Sequence, residues 1–210
     1  SLVAVFVALR RLLPPGSLRA AHGLPAVIVT RGFLAAGFFG AEAYIVFVLQ
    51  EQWGASPGEA GMALTVVGIV WALSSQLQAR LGKQVNDEQA MIIGASVVFV
   101  GVVLLALVVW LDGPAMLAGA SYVLAGAGMG FGYPRTGVAM LAASSDADRG
   151  FNSSALSVAD SLGAALALSG AGVAFAAARS ADTDPFIAVF ALASVLSLFG
   201  VLTAVRTRPL

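Results

Sequence analysis

Six long apolar segments follow one another along this chain, and the polar residues they admit recur with a three-segment rhythm. The third and sixth segments carry no charged side chain, whereas the first, second, fourth and fifth hold the charges, amides and glycine runs. About 20 apolar residues of helix cross a bilayer core, and several of these segments reach that length. Charged residues make up 10% of the 210 positions, far below the roughly 25% of soluble domains. So sparse a supply does not cover a water-exposed surface. Lipid is therefore the solvent, and the rhythm points to a polar pathway between helices.

The expected spans are Leu24–Leu49, Ala60–Leu77, Ala90–Leu111, Ala115–Ala143, Phe151–Ala178 and Phe186–Val205. Turn and cap chemistry separates them: Ser56-Pro57-Gly58-Glu59 precedes the second, Asp112-Gly113-Pro114 the fourth and Asp184-Pro185 the last. No strand-like alternation occurs, which excludes a lipid-spanning β-barrel. The fold expected is an all-α membrane protein, a bundle of six transmembrane helices. Residues 1–22 read as the end of a preceding transmembrane helix plus an interdomain loop, and residues 23–210 as the six-helix domain. Leu2–Leu9 is too short to span, and Arg10 and Arg11 follow it, the reverse of a signal peptide. The chain reads as a fragment of a longer membrane protein.

Lysine and arginine in short loops set orientation. Arg10, Arg11, Arg19, Arg80, Lys83, Arg149, Arg206 and Arg208 fall on one side and Arg179 alone on the other, so both ends are expected to be cytoplasmic. The third and sixth helices are expected to face lipid on most sides. Read as two triplets, the chain places its uncharged helix third each time. An odd-numbered triplet inverts its copy, the arrangement of inverted three-helix repeats.

Glu42 lies about 11 Å along the first helix from its outer end, and Arg31 seven residues from the inner end. An arginine so near an interface can snorkel, and Arg31 reads as an anchor. Glu42 is shorter and deeper. A charge at mid-membrane costs about 2.5–3.5 kcal/mol on insertion scales, so such a residue faces a cavity or a partner. Glu42 is read as a transport carboxyl or as a protonated or amide-paired structural one. In the fifth helix Ser153, Ser157, Asp160, Ser161 and Ala164 form a polar-to-small stripe. Asp160 lies about 14 Å and Arg135 about 12 Å from the same inner ends. Matched depth on sequential helices points to an Arg135–Asp160 ion pair, either neutralising charge or acting as a gate.

The fourth helix contains Gly126-Ala127-Gly128-Met129-Gly130-Phe131-Gly132-Tyr133-Pro134. Spacings of four, Gly126/Gly130 and Gly128/Gly132, admit a neighbouring backbone, and Pro134 permits a bend. The run lacks the GxGxxG pattern and the following Lys-Ser/Thr of nucleotide sites. Trp71, Ser74, Ser75, Gln76 and Gln78 mark the second helix; Trp71 either lines a cavity or packs in the core. Trp71, Gln76 and Tyr133 complete the expected pathway. His22, the sole histidine, falls in a loop and cannot relay protons at mid-membrane. The net charge is zero and no cysteine occurs. No basic patch points to nucleic acid, and no metal or cofactor site is expected.

These residues together resemble the C-terminal half of a major facilitator superfamily transporter, in its bacterial drug-efflux branch. Gly126–Pro134 looks like that family's glycine-rich tenth helix, and Arg149-Gly150 through Asp160-Ser161-Leu162-Gly163-Ala164-Ala165 like its eleventh. Arg80-Leu81-Gly82-Lys83 is similar to the second copy of its cytoplasmic loop motif, whose acidic residue falls at Ala79 here. Gly37-Ala41-Glu42-Ala43-Tyr44 is similar to its seventh helices. The resemblance spans nearly the whole chain. It implies a plasma-membrane protein of bacteria, an N-terminal six-helix half as partner, and a midplane site reached by alternating access. Glu42 would then face the central cavity, with the first and fourth helices lining it, the second and fifth flanking the interface with the other half, and the third and sixth facing lipid.

The function expected is secondary transport of a small molecule, as proton-coupled efflux of an amphipathic compound. The alternatives are a non-transporting membrane scaffold or sensor, and an intramembrane enzyme. The enzyme is disfavoured. A serine protease needs a histidine at membrane depth, and an aspartyl protease needs paired carboxylates, whereas Glu42 and Asp160 sit in opposite membrane halves.

Overall fold

In the computed structural model of the chain, which describes residues 12–82 and 84–208, six helices are joined by short connections that turn each back on its predecessor. They are α1 (Leu24–Glu51), α2 (Pro57–Arg80), α3 (Asp87–Trp110), α4 (Ala115–Ala142), α5 (Arg149–Ser180) and α6 (Pro185–Ala204). All six are long and apolar enough to cross a membrane, and no strand occurs among the described residues. The chain is an all-helical membrane protein. Leu2–Leu9, Arg10, Arg11 and Lys83 lie outside the described residues.

Several helices outrun their apolar stretches because their first turns are capped by polar side chains. Ser56 accepts from the Glu59 amide (3.3 Å) while Glu59 accepts from the Ser56 amide (2.8 Å), which starts α2 at Pro57. Asn86 and Gln89 close the same reciprocal box before α3. Asp184 accepts from the amides of Phe186 and Ile187 at the head of α6. Such boxes satisfy amides that the helix itself leaves unpaired.

The centre of the bundle is α1 and α4. Of their most apolar stretches 61% and 50% are buried, against 39% in both α3 and α6, 17% in α5 and 11% in α2. α1 packs on α5, α6 and α4, and α4 packs on α3, α2 and α1, with α3 against α6. Within this chain α2 and α5 are the barest helices, and α3 and α6 are intermediate. Each rests mainly on one central helix, α2 on α4 and α5 on α1, and leaves its far side uncovered.

Close approach in α4 depends on its glycines, which serve two neighbours. A Cβ on Gly128 would fall 2.6 Å from the Gly94 carbonyl oxygen and the Val98 amide nitrogen of α3. A Cβ on Gly130 would collide with the Trp71 carbonyl of α2, where Ser74 also donates to the Ala127 carbonyl (2.7 Å). Pro134 sits inside α4 without breaking it; lacking an amide proton, it leaves the carbonyl of Gly130 without its helical donor.

The two ends are tied differently. At the end carrying Arg179, the Gln52 amide donates to Asp112 (2.5 Å) and the Trp53 indole to the Gly113 carbonyl (3.0 Å). At the opposite, basic end, the Gly23 amide donates to the Arg206 carbonyl (3.0 Å) and Arg208 pairs with Glu88 (2.9 Å).

Candidate functional site

Arg31 of α1, Tyr133 and Thr136 of α4 and Asp160 of α5 form one polar network inside the bundle. The Arg31 Nε donates to Asp160 Oδ1 at 2.8 Å, and its Nη1 donates to the Thr136 hydroxyl (3.0 Å) and the Tyr133 carbonyl (3.3 Å). The guanidinium carbon stands 3.3 Å from the centre of the Tyr133 ring, a contact in which the ring face attracts the cation. The Tyr133 hydroxyl donates to the same Asp160 Oδ1 at 2.7 Å. Asp160 Oδ2 accepts from no side chain among the described residues. The Arg31 and Asp160 side chains keep 19% and 25% exposure, so the network is open on one flank. A carboxylate with one oxygen bound twice and the other without a side-chain donor among the described residues can receive a donor from a ligand.

The expected Arg135–Asp160 pair does not form. Arg135 instead donates to Asp87 at the head of α3 (2.6 Å) and to the Gln78 carbonyl of α2 (3.3 Å). Its guanidinium lies against Gly82, where a Cβ would fall 2.6 Å from Nη2. Gly82 of the loop motif is therefore the residue that leaves Arg135 its place. The Nε of Arg135 and the amide nitrogen of Gln78 are buried without partners among the described residues. Arg80, the motif's cation among the described residues, is exposed.

The reason for the exchange of partners is packing. α5 lies along α1 and touches α4 only lightly, so chain order misleads about proximity. Arg31, read from the sequence as a snorkelling anchor, is the true counter-ion of Asp160. Depth alone did not separate the two arginines: at about 10 Å from that end, Arg31 matches the roughly 14 Å of Asp160 less well than Arg135 does at about 12 Å, and helix adjacency decides.

Above this network stands an aromatic layer. Phe38 stacks on Tyr122 (5.0 Å between centroids) and meets Trp71 edge-on (5.3 Å), and Trp71 in turn meets Tyr133 (5.6 Å). The Tyr122 hydroxyl donates to the Phe38 carbonyl (3.2 Å). Trp71 is thus a half-buried member of a packed cluster. Glu42 lies beyond this layer, on the same face of α1 as Arg31 but about 16 Å further along. It is half-buried and makes no ion pair or side-chain hydrogen bond among the described residues. Gln76 is exposed on the open side of α2. The structure thus spreads Glu42, Arg135 and Asp160 over three separate places.

A cleft of about 940 Å³ opens at the Arg179 end between the heads of α2 and α4, walled by Leu49, Trp53, Met62, Val66 and Met116. The ion pairs lie elsewhere. Among the described residues no group of three or more His, Cys, Asp or Glu side chains converges as a metal site would require. No family model matches the chain, and no curated protein matches it.

Proposed function

We propose that the chain is one six-helix half of a secondary transporter of the major facilitator kind, moving a small amphipathic compound outward in exchange for protons. The observation that carries this reading is the Arg31–Asp160–Tyr133 network, a part-open ion pair held between two central helices and a flanking one. Lipid-buried charges of this kind mark ion and substrate pathways. In this reading Arg31 is the counter-ion of Asp160, and Tyr133 hands Asp160 a donor that a ligand can displace. Neutralising Asp160 would free Arg31 to meet an anionic or polar ligand while the α1–α5 seam holds. Glu42, on the far side of the aromatic layer, would serve as the second carboxyl. The role is one of transport, not of bond chemistry.

The packing order supports the inverted-repeat part of the reading. Exchanging α1, α2 and α3 with α4, α5 and α6 turns the α1–α5 contact into α4–α2, and α1–α6 into α4–α3, while α3–α6 and α1–α4 map onto themselves; the α5–α6 contact has no counterpart between α2 and α3. The bare sides of α2 and α5 then have an occupant, the N-terminal half. On α5 that side carries Ser154 and Ser157, whose hydroxyls bond back to Gly150 and Ser153. The excess of basic residues around Arg19, Arg80, Arg149, Arg206 and Arg208 would make that end cytoplasmic, in a bacterial plasma membrane.

The test is flux in proteoliposomes of the full-length protein under an imposed pH gradient, with ethidium as the amphipathic probe. Gradient-driven ethidium movement that is lost in Asp160→Asn supports the proposal. Absence of gradient-driven movement in the parent would favour a scaffold, and undiminished movement in Asp160→Asn would remove the role assigned to that carboxylate.

A further inference from the structure

We propose that the basic end of the bundle holds one anionic glycerophospholipid, its acyl chain in the groove between α1, α5 and α6 and its headgroup between Arg19 and Arg206. The groove is an apolar cavity of about 260 Å³ walled by Gly32, Phe33, Ala159, Leu166, Gly170 and Leu196. It has room for a chain because α5 presents the small residues Ala159, Gly163, Ala167 and Gly170 there. Toward the basic end it abuts a second cavity of about 350 Å³, bordered by Ser17, Arg19, Leu202, Thr203 and Arg206. Val29 and Phe33 belong to both walls. Phe33 stacks on Phe199 (5.6 Å between centroids), so a rigid aromatic pair marks the junction.

The dimensions suit a lipid. From Arg206 to Leu192 the two cavities follow about 21 Å of helix at 1.5 Å per residue. That exceeds the roughly 15 Å of hydrocarbon in one leaflet, so the combined groove runs from the interface through the leaflet. The charge selects the headgroup. Arg19 and Arg206 are exposed, and neither side chain joins an ion pair or hydrogen bond among the described residues. Arg149 and Arg208 at the same end are held by Asp146 and Glu88. Two unpaired guanidiniums over a carbon-walled groove match a phosphodiester carrying net negative charge. A soluble anion would leave the groove unfilled, and a zwitterionic lipid would leave the cations uncompensated. The inference needs only that the chain spans a membrane, and it stands apart from any transport activity.

The test is native mass spectrometry of the full chain in nonionic detergent after equilibration with equal amounts of phosphatidylglycerol and phosphatidylcholine of identical acyl chains. The parent is expected to retain one phosphatidylglycerol in preference. Arg19→Gln and Arg206→Gln should each weaken that preference by about fivefold, and the double variant should abolish it. Gly170→Leu fills the groove against only the flexible tip of Leu192, 3.3 Å from the added Cβ, and should lower retention of phosphatidylglycerol. Arg179→Gln, at the opposite end, should change nothing. Equal retention of both lipids by the parent would overturn the proposal. So would a preference that survives the double variant, falls equally with Arg179→Gln, or ignores Gly170→Leu.

Discussion

Arg31 and Asp160 meet because the residues beside them, Gly32 and Ala159, make one of the closest contacts between α1 and α5. A Cβ on Gly32 would fall 2.9 Å from the Ala159 carbonyl oxygen, and Gly163, one turn further along α5, has no room for one against the backbone of Gly32. Small residues bring the backbones together, and the long arginine then reaches across the seam to its carboxylate. The ion pair is a consequence of this approach, not its cause.

Removing one partner of the pair therefore leaves the seam intact but strands a charge. Arg31→Met and Asp160→Asn are each expected to lower stability by about 1–3 kcal/mol, less than a fully buried pair because both side chains are partly exposed. The double variant should lose less than the sum, which urea unfolding in detergent micelles would show as a coupling energy of about 1 kcal/mol or more.

The glycines of α4 separate into those that carry a contact and those that do not. Gly128→Ala meets the backbone of α3 and is expected to cost about 1–3 kcal/mol. Gly137→Ala has nothing within 4 Å of its Cβ and should stabilise α4 by up to about 1 kcal/mol through helix propensity. Paired melting curves of the two variants check the contrast.

Gly82 and Asp87 are expected to act on the same residue, Arg135. Gly82→Ala presses on the far end of a flexible side chain and weakens the Arg135–Asp87 contact, so its cost should not exceed the roughly 1–3 kcal/mol of losing that contact outright. Asp87→Asn should cost about 1–3 kcal/mol by leaving a part-buried guanidinium with neutral acceptors and no counter-charge. Combined, the two substitutions should be less than additive in a double-mutant cycle; simple additivity would separate Gly82 from the Arg135 pair.

Glu42 is expected to divide stability from function. With no partner to lose, Glu42→Gln should change the unfolding free energy by no more than about 0.5 kcal/mol. The same substitution should alter the pH dependence of gradient-driven flux in the full-length protein. Unchanged flux at every pH would take Glu42 out of the pathway.

The fold class and the spans were legible because a 20-residue apolar run and a capping box are local signals, as at Ser56-Glu59 and Asn86-Gln89. Asp160 and Arg135 stood out for a similar reason, since a charge among apolar neighbours advertises a need for a partner. Which partner was not local information. It depends on which helix lies beside which, and that order is set by small residues such as Gly32, Ala159 and Gly163, whose spacing says that a backbone approaches but not whose. The bareness of α2 and α5 followed from no local signal; only the family resemblance, which sets them against another half, implied it. Gln76 and the α5 serines look like groups in need of cover, yet two of those serines, Ser154 and Ser157, bond to their own helix and stand exposed.

The seam between α1 and α5 can be tested directly because the chain has no cysteine. At Gly40 and Ala167 an added Cβ on the glycine lies 3.2 Å from the alanine Cβ, a few tenths of an ångström short of the roughly 3.5–4.5 Å that a disulfide spans. Oxidation of Gly40→Cys/Ala167→Cys, read by peptide mass spectrometry, should link α1 to α5 rapidly, while Arg135→Cys/Asp160→Cys should stay reduced. A linked 135–160 pair with an unlinked 40–167 pair would place α5 against α4 and dissolve the Arg31–Asp160 network.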